Sequence, residues 1–97
     1  MIIVHDTFVC KPGNASKLAK MMKEAMAKSP SMVYIMTDMT GQYHRVVMVS
    51  RHASLTAYEK SLNKWKKPTK ETKKMDEKFA SMPEMYTTGS REIYKVW

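Results

Sequence analysis

The stretch Phe8-Val-Cys-Lys-Pro-Gly-Asn-Ala-Ser-Lys-Leu18 takes the chain from an apolar segment into a segment with helical periodicity. Proline removes a backbone donor and glycine adopts turn conformations, so Pro12-Gly13 predicts the end of a strand that begins at the N-terminus. Asn14 is a favoured N-cap residue and predicts a helix that runs to about Lys28. The first part of the chain is therefore predicted to form a strand followed by a helix.

The rest of the chain continues this alternation of strands and helices. Residues 40–42, Thr-Gly-Gln, predict a hairpin between two strands, and Ser54 is a predicted N-cap for a helical region. Pro68 interrupts that region, because proline clashes with the preceding helical turn. The remaining elements are predicted at 32–39 (strand), 43–50 (strand), 54–82 (two helical segments, with Leu55, Tyr58, Leu62 and Trp65 as the apolar stripe of the first) and 86–97 (strand).

The element order strand, helix, strand, strand, helix, strand predicts a ferredoxin-like βαββαβ fold of the α+β class. Two right-handed crossovers in this order give a four-stranded antiparallel sheet, order 4-1-3-2, with the helices on one face. A chain of 97 residues has room for one modest core, so residues 1–97 are expected to form a single domain.

Both faces of the predicted sheet are apolar. Alternation places Ile2, Val4 and Phe8 on one side of the first strand, and Ile3 and Val9 on the other. A sheet with helices on one side alone normally has a polar outer face, so the second apolar face needs a cover. A second copy of the same sheet, related by a two-fold axis, is the simplest cover. We therefore expect a homodimer that pairs through the helix-free face.

The element order, the Lys-Pro-Gly sequence at 11–13, the helix opening Ser54-Leu-Thr-Ala-Tyr58 and the basic-aromatic last strand 89–97 together resemble the dimeric α+β barrel superfamily. Its members include antibiotic-biosynthesis monooxygenases and haem-degrading monooxygenases. The resemblance covers the whole chain and implies a barrel built from two sheets, with a pocket between each sheet and its own helices. These features are architectural, so they indicate a fold more than a chemistry.

The resemblance does not extend to haem binding. Asp6 falls where the haem-degrading members have an asparagine, and Tyr58 falls where they have a tryptophan. Their haem-ligating histidine corresponds to the neighbourhood of Pro68, and no histidine follows His52 in this chain. We therefore expect neither haem nor any other cofactor.

The candidate catalytic residues are Asp6 and His5. They are adjacent on a strand and point to opposite faces, so they do not form a pair. Asp6 on a mainly apolar side is unfavourable unless it is paired, and an antiparallel last strand beside the first brings Arg91 close to His5 or Asp6. A purely structural Asp–Arg contact is the alternative. The candidate ligand-binding residues are Tyr34, Tyr58, Trp65 and Arg91. Tyr58 and Trp65 share a helical face, and packing in the core is the alternative for these two.

No metal site is expected. His44 and His52 flank the third predicted strand and would lie about 26 Å apart if it is fully extended. Cys10 is the only cysteine and has no Cys-x-x-Cys partner. The sequence also lacks a P-loop, a dinucleotide fingerprint and a Gly-x-Ser-x-Gly motif.

The net charge of +8 comes largely from a lysine-rich region, with eight lysines and four acids between Glu59 and Lys78. This pattern is typical of a solvated helix face, and residues 44–50 of the third predicted strand lack the aromatic side chains on which RNA bases stack. We expect no specific nucleic-acid binding. No apolar run reaches the ~20 residues of a membrane span, and no signal peptide is evident. With one unpaired cysteine, these features predict a soluble cytoplasmic protein without membrane association.

Two function classes remain open from the sequence. The first is a small dimeric module with an apolar-ligand pocket between sheet and helices. The second is a cofactor-independent monooxygenase that acts on a small aromatic or polyketide-like substrate, because such chemistry needs shape, a polar group and exclusion of water rather than a metal. The sequence does not decide whether the protein is an enzyme.

Overall fold

The computed structural model describes residues 1–66 and 69–97, apart from the side chains of Trp65, Glu71 and Lys78. All strand pairs are antiparallel, and the sheet order is β2-β3-β1-β4. This is the predicted order 4-1-3-2 counted from the opposite edge, so the ferredoxin-like α+β fold is confirmed. The elements are β1 (Ile2–Cys10), α1 (Ala15–Ala25), β2 (Met32–Thr37), β3 (Arg45–His52), α2 (Leu55–Lys66), α3 (Lys70–Lys78), α4 (Met82–Met85) and β4 (Tyr86–Lys95).

The helix starts agree with the sequence signals in part. Ser54 caps α2, because its Oγ accepts a hydrogen bond from the backbone nitrogen of Ala57 at 3.1 Å. Asn14 occupies the N-cap position of α1 but makes no side-chain cap hydrogen bond. Thr69, which was not predicted as a cap, forms a reciprocal capping box with Thr72 at the start of α3. The predicted interruption at Pro68 lies outside the described residues.

Several boundary predictions were wrong, and α1, β2 and β4 each end two or three residues earlier than predicted. The expected end of the last helical segment at Pro83 is replaced by the short helix α4, which has Pro83 in its first turn. Proline is tolerated there because the first-turn backbone nitrogens have no partner within the helix. The third strand begins and ends two residues later than predicted and includes His52.

The β2–β3 connection is longer than the predicted three-residue hairpin turn and runs through residues 38–44. Gly41 and His44 have φ angles of 87° and 63°, so the backbone turns twice through the left-handed region. Arg45 closes this loop: its backbone nitrogen donates to Asp38 Oδ1 at 2.9 Å, and its side chain donates to the carbonyls of Gln42 and Thr40.

The core lies between the sheet and the helices. One cluster joins Leu18 and Met22 of α1 to Cys10 and Val46 of the central strands. A second cluster joins Tyr58 of α2 to β1, and consists of Ile2, Val4 and Tyr58 with Leu62 packed against them. Leu55 was expected in this stripe, but its side chain is 59% exposed, so that prediction was wrong.

The opposite side of the sheet, here called the helix-free face, carries the alternate residues of each strand. Its register is fixed by the pairs His5 with Val49 and Tyr34 with Val49. Tyr34, Met36 and Tyr94 are large exposed side chains on the edge strands of this face, with exposures of 62%, 40% and 47%. The face comprises Ile3, His5, Thr7, Val9, Tyr34, Met36, Arg45, Val47, Val49, Arg51, Ser90, Glu92 and Tyr94.

Candidate functional site

An ion pair lies on the helix side of the sheet. Asp6 of β1 and Arg91 of β4 are direct partners in the strand register, and Arg91 Nε donates to Asp6 Oδ1 at 2.6 Å. The Asp6 side chain is 11% exposed, while that of Arg91 is 49% exposed. The pair therefore links a buried carboxylate to a half-exposed guanidinium at the sheet edge.

Helix α2 places Tyr58 beside this pair. The tyrosine is buried among Ile2, Val4 and Leu62, and the guanidinium carbon of Arg91 lies 5.6 Å from the centroid of its ring. This distance is within the range of a cation–π contact, which is worth about 0.5–1 kcal/mol at exposed sites and more when desolvated.

His52, the last residue of β3, completes the arrangement. Its ring centroid lies 4.7 Å from that of Tyr58, and its Nε2 lies 3.1 Å from Ser50 Oγ. We call Asp6, Ser50, His52, Tyr58 and Arg91 the polar cluster. All but Arg91 are buried, so the cluster is a polar region inside an apolar core.

The Tyr58 hydroxyl is the unusual group of the cluster. It is enclosed and has no hydrogen-bond partner among the residues that the structure describes. An unpaired buried hydroxyl costs about 1–3 kcal/mol, and native proteins rarely leave one. A ligand group that reached this hydroxyl would recover that free energy.

The surroundings fix the ionisation of the cluster. Burial lowers the pKa of His52 below its ordinary 6.5, and the negative charge of Asp6 opposes this shift. Burial and then Asp6 raise the pKa of Tyr58, which Arg91 counteracts. The hydrogen bond with Asp6 raises the pKa of Arg91 further. At neutral pH, His52 is therefore neutral, Tyr58 carries its proton, and Arg91 is charged.

The structure brings some of the predicted site residues together and separates others. Asp6, Arg91 and Tyr58 meet in the polar cluster. His5 lies on the helix-free face, where its ring is 5.2 Å from that of Tyr94. Tyr34 also lies on that face, because it pairs with Val49, so it does not line a site with Tyr58. The Trp65 side chain lies outside the described part of the chain. A role of these residues in catalysis or ligand binding stays a prediction.

Sequence reasoning missed Ser50 and His52. The available signal was alternation: Val46, Met48, Ser50 and His52 share one side of β3, and the register pairs Met48 with Asp6. The predicted strand ends at Ser50, so the sequence prediction leaves His52 outside the strand and does not place it on the same side as Met48 and Ser50.

Metal and thiol chemistry find little support in the described residues. Within residues 1–66 and 69–97, no group of three or more His, Cys, Asp or Glu side chains lies close enough to hold a metal ion. Cys10 is buried and unpaired, and burial raises the pKa of its thiol. The thiol therefore stays protonated and unreactive at neutral pH.

A shallow depression of about 330 Å³ lies away from the polar cluster, at the end of the sheet that carries the β2–β3 loop. Met36 and Val47 of the helix-free face form part of its floor. Its lining residues are Met36, Thr37, Asp38, Met39, Thr40, Arg45 and Val47. This depression is not the expected pocket between sheet and helices, which stays a prediction.

The fold is that of a known group of α+β proteins, as comparison with solved structures shows. An uncharacterized NIPSNAP domain protein from Burkholderia xenovorans superposes with a TM-score of 0.82 at 8% identity, over 100% of this chain and 95% of that one. A NIPSNAP family protein from Agrobacterium tumefaciens gives 0.80 at 11% identity, over 97% and 90%.

A candidate antibiotic biosynthesis monooxygenase from Chloroflexus aurantiacus has the same fold, with a TM-score of 0.69 at 10% identity over 99% of this chain and 92% of that one. The predicted resemblance to the ferredoxin-like α+β barrel proteins is thus confirmed for the fold. No protein-family model and no curated protein sequence matches the chain. None of the helices in the described residues has the length and apolar character of a membrane span.

The ion pair gives a first prediction. Arg91→Met leaves the buried Asp6 carboxylate without its donor, so we expect a loss of unfolding free energy of about 1–3 kcal/mol by urea titration. The double variant Asp6→Asn/Arg91→Met should lose less than the sum of the two single variants. The exposed Lys20 of α1 lies outside the helix-free face and the polar cluster and is the control, and Lys20→Met should change stability by no more than about 0.5 kcal/mol. Equal effects of Arg91→Met and Lys20→Met would contradict the assignment.

His52 gives a second prediction, on pH dependence. Its folded-state pKa is lowered from 6.5, so the unfolded chain binds a proton at a higher pH than the folded chain does. The contribution of the neutral His52 side chain to stability is complete above the unfolded-state pKa. It decreases as pH falls below that pKa and is lost once pH has fallen through the lower folded-state pKa. Urea titrations of the wild type and His52→Gln at about pH 7.5 and about pH 5.5 isolate the effect from the other titrating groups. The wild type should lose more stability on acidification than the variant, and a larger loss in the variant would refute the assignment.

Proposed function

We propose that the chain is a homodimeric ligand-binding module. Two copies pair through their helix-free faces, and each copy binds a small apolar molecule between its sheet and its helices. The observation that carries the binding role is the buried hydroxyl of Tyr58, which has no hydrogen-bond partner among the described residues and lies beside a half-exposed Arg91. The single unpaired cysteine, Cys10, supports a reducing, cytoplasmic location for the module.

The size and character of the helix-free face support the dimer. Four strands spaced about 4.8 Å apart, with about eight residues each, give a projected area on the order of 500 Å² per copy. Two such faces bury about 1,000 Å², which reaches the minimum area expected of a biological interface. The exposed aromatic side chains of Tyr34 and Tyr94 lie on opposite edges of the face. A two-fold axis along the strands brings the Tyr34 edge of one copy to the Tyr94 edge of the other.

The composition of the interior supports an apolar ligand. The polar cluster is surrounded by aliphatic side chains, including Val4 and Leu62. Five methionines lie in or against the first core cluster, and their flexible side chains adapt to irregular shapes. Small-molecule sites in proteins are typically lined by apolar side chains with a few convergent polar groups, and the surroundings of the polar cluster have this composition.

The dimer is tested by light scattering coupled to size exclusion. The wild type should have about twice the chain mass of 11.2 kDa at micromolar concentration. Tyr34→Asp buries a charge in the proposed interface, so it should shift the protein to the monomer mass. Tyr43 is 78% exposed in the β2–β3 loop, and Tyr43→Asp should leave the dimer intact. A monomeric wild type would overturn the dimer, as would equal dimerisation of both variants.

The ligand site is tested with indole, a small neutral aromatic probe, by NMR titration. Because Tyr58 and Leu62 line the proposed site, we expect saturable shifts of their signals. The signals of Leu55, which is 59% exposed on the same helix, should not move. Shifts at Leu55 alone, or none at all, would refute a binding site next to the polar cluster.

A cofactor-independent monooxygenase is the second candidate, supported by the fold shared with candidate antibiotic biosynthesis monooxygenases. In such chemistry a base removes a proton from the substrate, whose carbanion then reacts with oxygen. Neutral His52 or the carboxylate of Asp6 would serve as that base. The dimer incubated with hydroxylated aromatics should then consume oxygen, and Asp6→Asn/His52→Gln should abolish it. No oxygen uptake across a broad panel would exclude this role.

A further inference from the structure

We infer that the ligand of the polar cluster carries a carboxylate, which binds to the guanidinium nitrogens of Arg91 that do not contact Asp6. The inference rests on the ligand site proposed above and specifies the chemical class of its occupant. That class is a small carboxylic acid with an apolar or aromatic body.

The hydrogen bonding of Arg91 is the first observation. Asp6 accepts a hydrogen bond from Nε alone, although a guanidinium presents five N–H groups in a planar fork. The two terminal nitrogens have no hydrogen-bond partner among the described residues, and the side chain is 49% exposed. The unused edge of the fork matches a carboxylate in geometry and charge, and such bidentate pairs are among the strong hydrogen bonds of proteins.

The Tyr58 hydroxyl supplies a second donor. The raised pKa of this group keeps its proton in place at neutral pH. It has no partner in the described residues, and the guanidinium lies across its ring. Because the hydroxyl is enclosed and Arg91 is half exposed, an entering acid contacts Arg91 first, and we expect a second bond from Tyr58 in the bound state.

The charges around the site favour a singly charged anion. Asp6 and Arg91 form a neutral pair, and burial keeps His52 uncharged. The chain as a whole carries +8, which attracts anions over a long range. A single arginine offers one fork, which suits a carboxylate, whereas phosphate groups are usually held by several cations or a row of backbone nitrogens.

Ile93 provides the apolar part of the site. It lies two residues after Arg91 on the same side of β4, opposite Val4 in the register, and its side chain is 43% exposed. An acid bound to Arg91 can therefore place its apolar body against Ile93 and the edge of the second core cluster. Because the exposed Ile93 side chain lies next to the guanidinium of Arg91, the site favours an acid with an aromatic or aliphatic body over a small inorganic anion.

The probes that test this inference are benzoate and its neutral isostere benzamide, titrated into the dimer and followed by NMR at the side-chain signals of Arg91 and Tyr58. Benzoate should bind at least about tenfold more tightly than benzamide, a factor that corresponds to about 1.4 kcal/mol. Arg91→Met should weaken benzoate binding about tenfold or more, and Tyr58→Phe about threefold. Asp6→Asn removes the negative charge beside the fork and should strengthen benzoate binding about threefold. Lys20→Met, at an exposed position of α1 outside the helix-free face, is the control and should leave benzoate binding unchanged.

Three results would overturn the inference: equal binding of benzoate and benzamide, unchanged benzoate binding by Arg91→Met, or weakened binding by Asp6→Asn. If Arg91→Met does not fold, Asp6→Asn/Arg91→Met removes both charges and serves in its place. Indole shifts at Tyr58 without benzoate binding would refute the carboxylate and leave the proposed site standing. If neither probe moves the Tyr58 signals, the proposed site itself is refuted.

Discussion

Successive side chains of a strand point to opposite faces of its sheet, and this constraint on β1 organises the rest of the molecule. β1 lies between β3 and β4 in the sheet, so the side chains on each of its two sides have neighbours on both flanking strands. Val4 and Asp6 enter the core and the polar cluster, while Ile3 and His5 enter the helix-free face. A slip of β1 by one residue would exchange the two sets, so the core, the cluster and the proposed interface all depend on one register.

The polar cluster follows from placing a carboxylate in the buried row of β1. A buried carboxylate is unfavourable unless a donor reaches it, and the register puts Arg91 of the edge strand β4 directly opposite Asp6. Since β4 is an edge strand, the guanidinium reaches inward with one nitrogen and remains half exposed. The ion pair therefore connects the interior to the surface. Tyr58 packs its ring near the guanidinium and lies in the first turn of α2, which the Ser54 cap stabilises.

The parts of the structure that were predictable follow from local chemistry. The Pro12-Gly13 break, the Ser54 cap and the element order determine the topology, and the topology alone brings Arg91 close to Asp6. The parts that were missed depend on details that pattern does not encode. Tyr34 faces away from Tyr58 because of the pairing of β2, which contains an irregularity between Met32 and Tyr34. Leu55 has helical spacing with Tyr58, but the first turn of α2 leaves it exposed.

Stability alone does not account for the polar cluster. An ion pair with one half-exposed partner contributes little net stability. The Tyr58 hydroxyl, which has no hydrogen-bond partner among the described residues, costs about 1–3 kcal/mol. A phenylalanine at position 58 would fill the same space in the second core cluster without that loss. A chain of 97 residues has a small stability margin in which to carry such groups. The placement of Arg91 and Tyr58 beside the exposed side chain of Ile93 is therefore an argument for the proposed ligand site, because folding alone gives no reason for it.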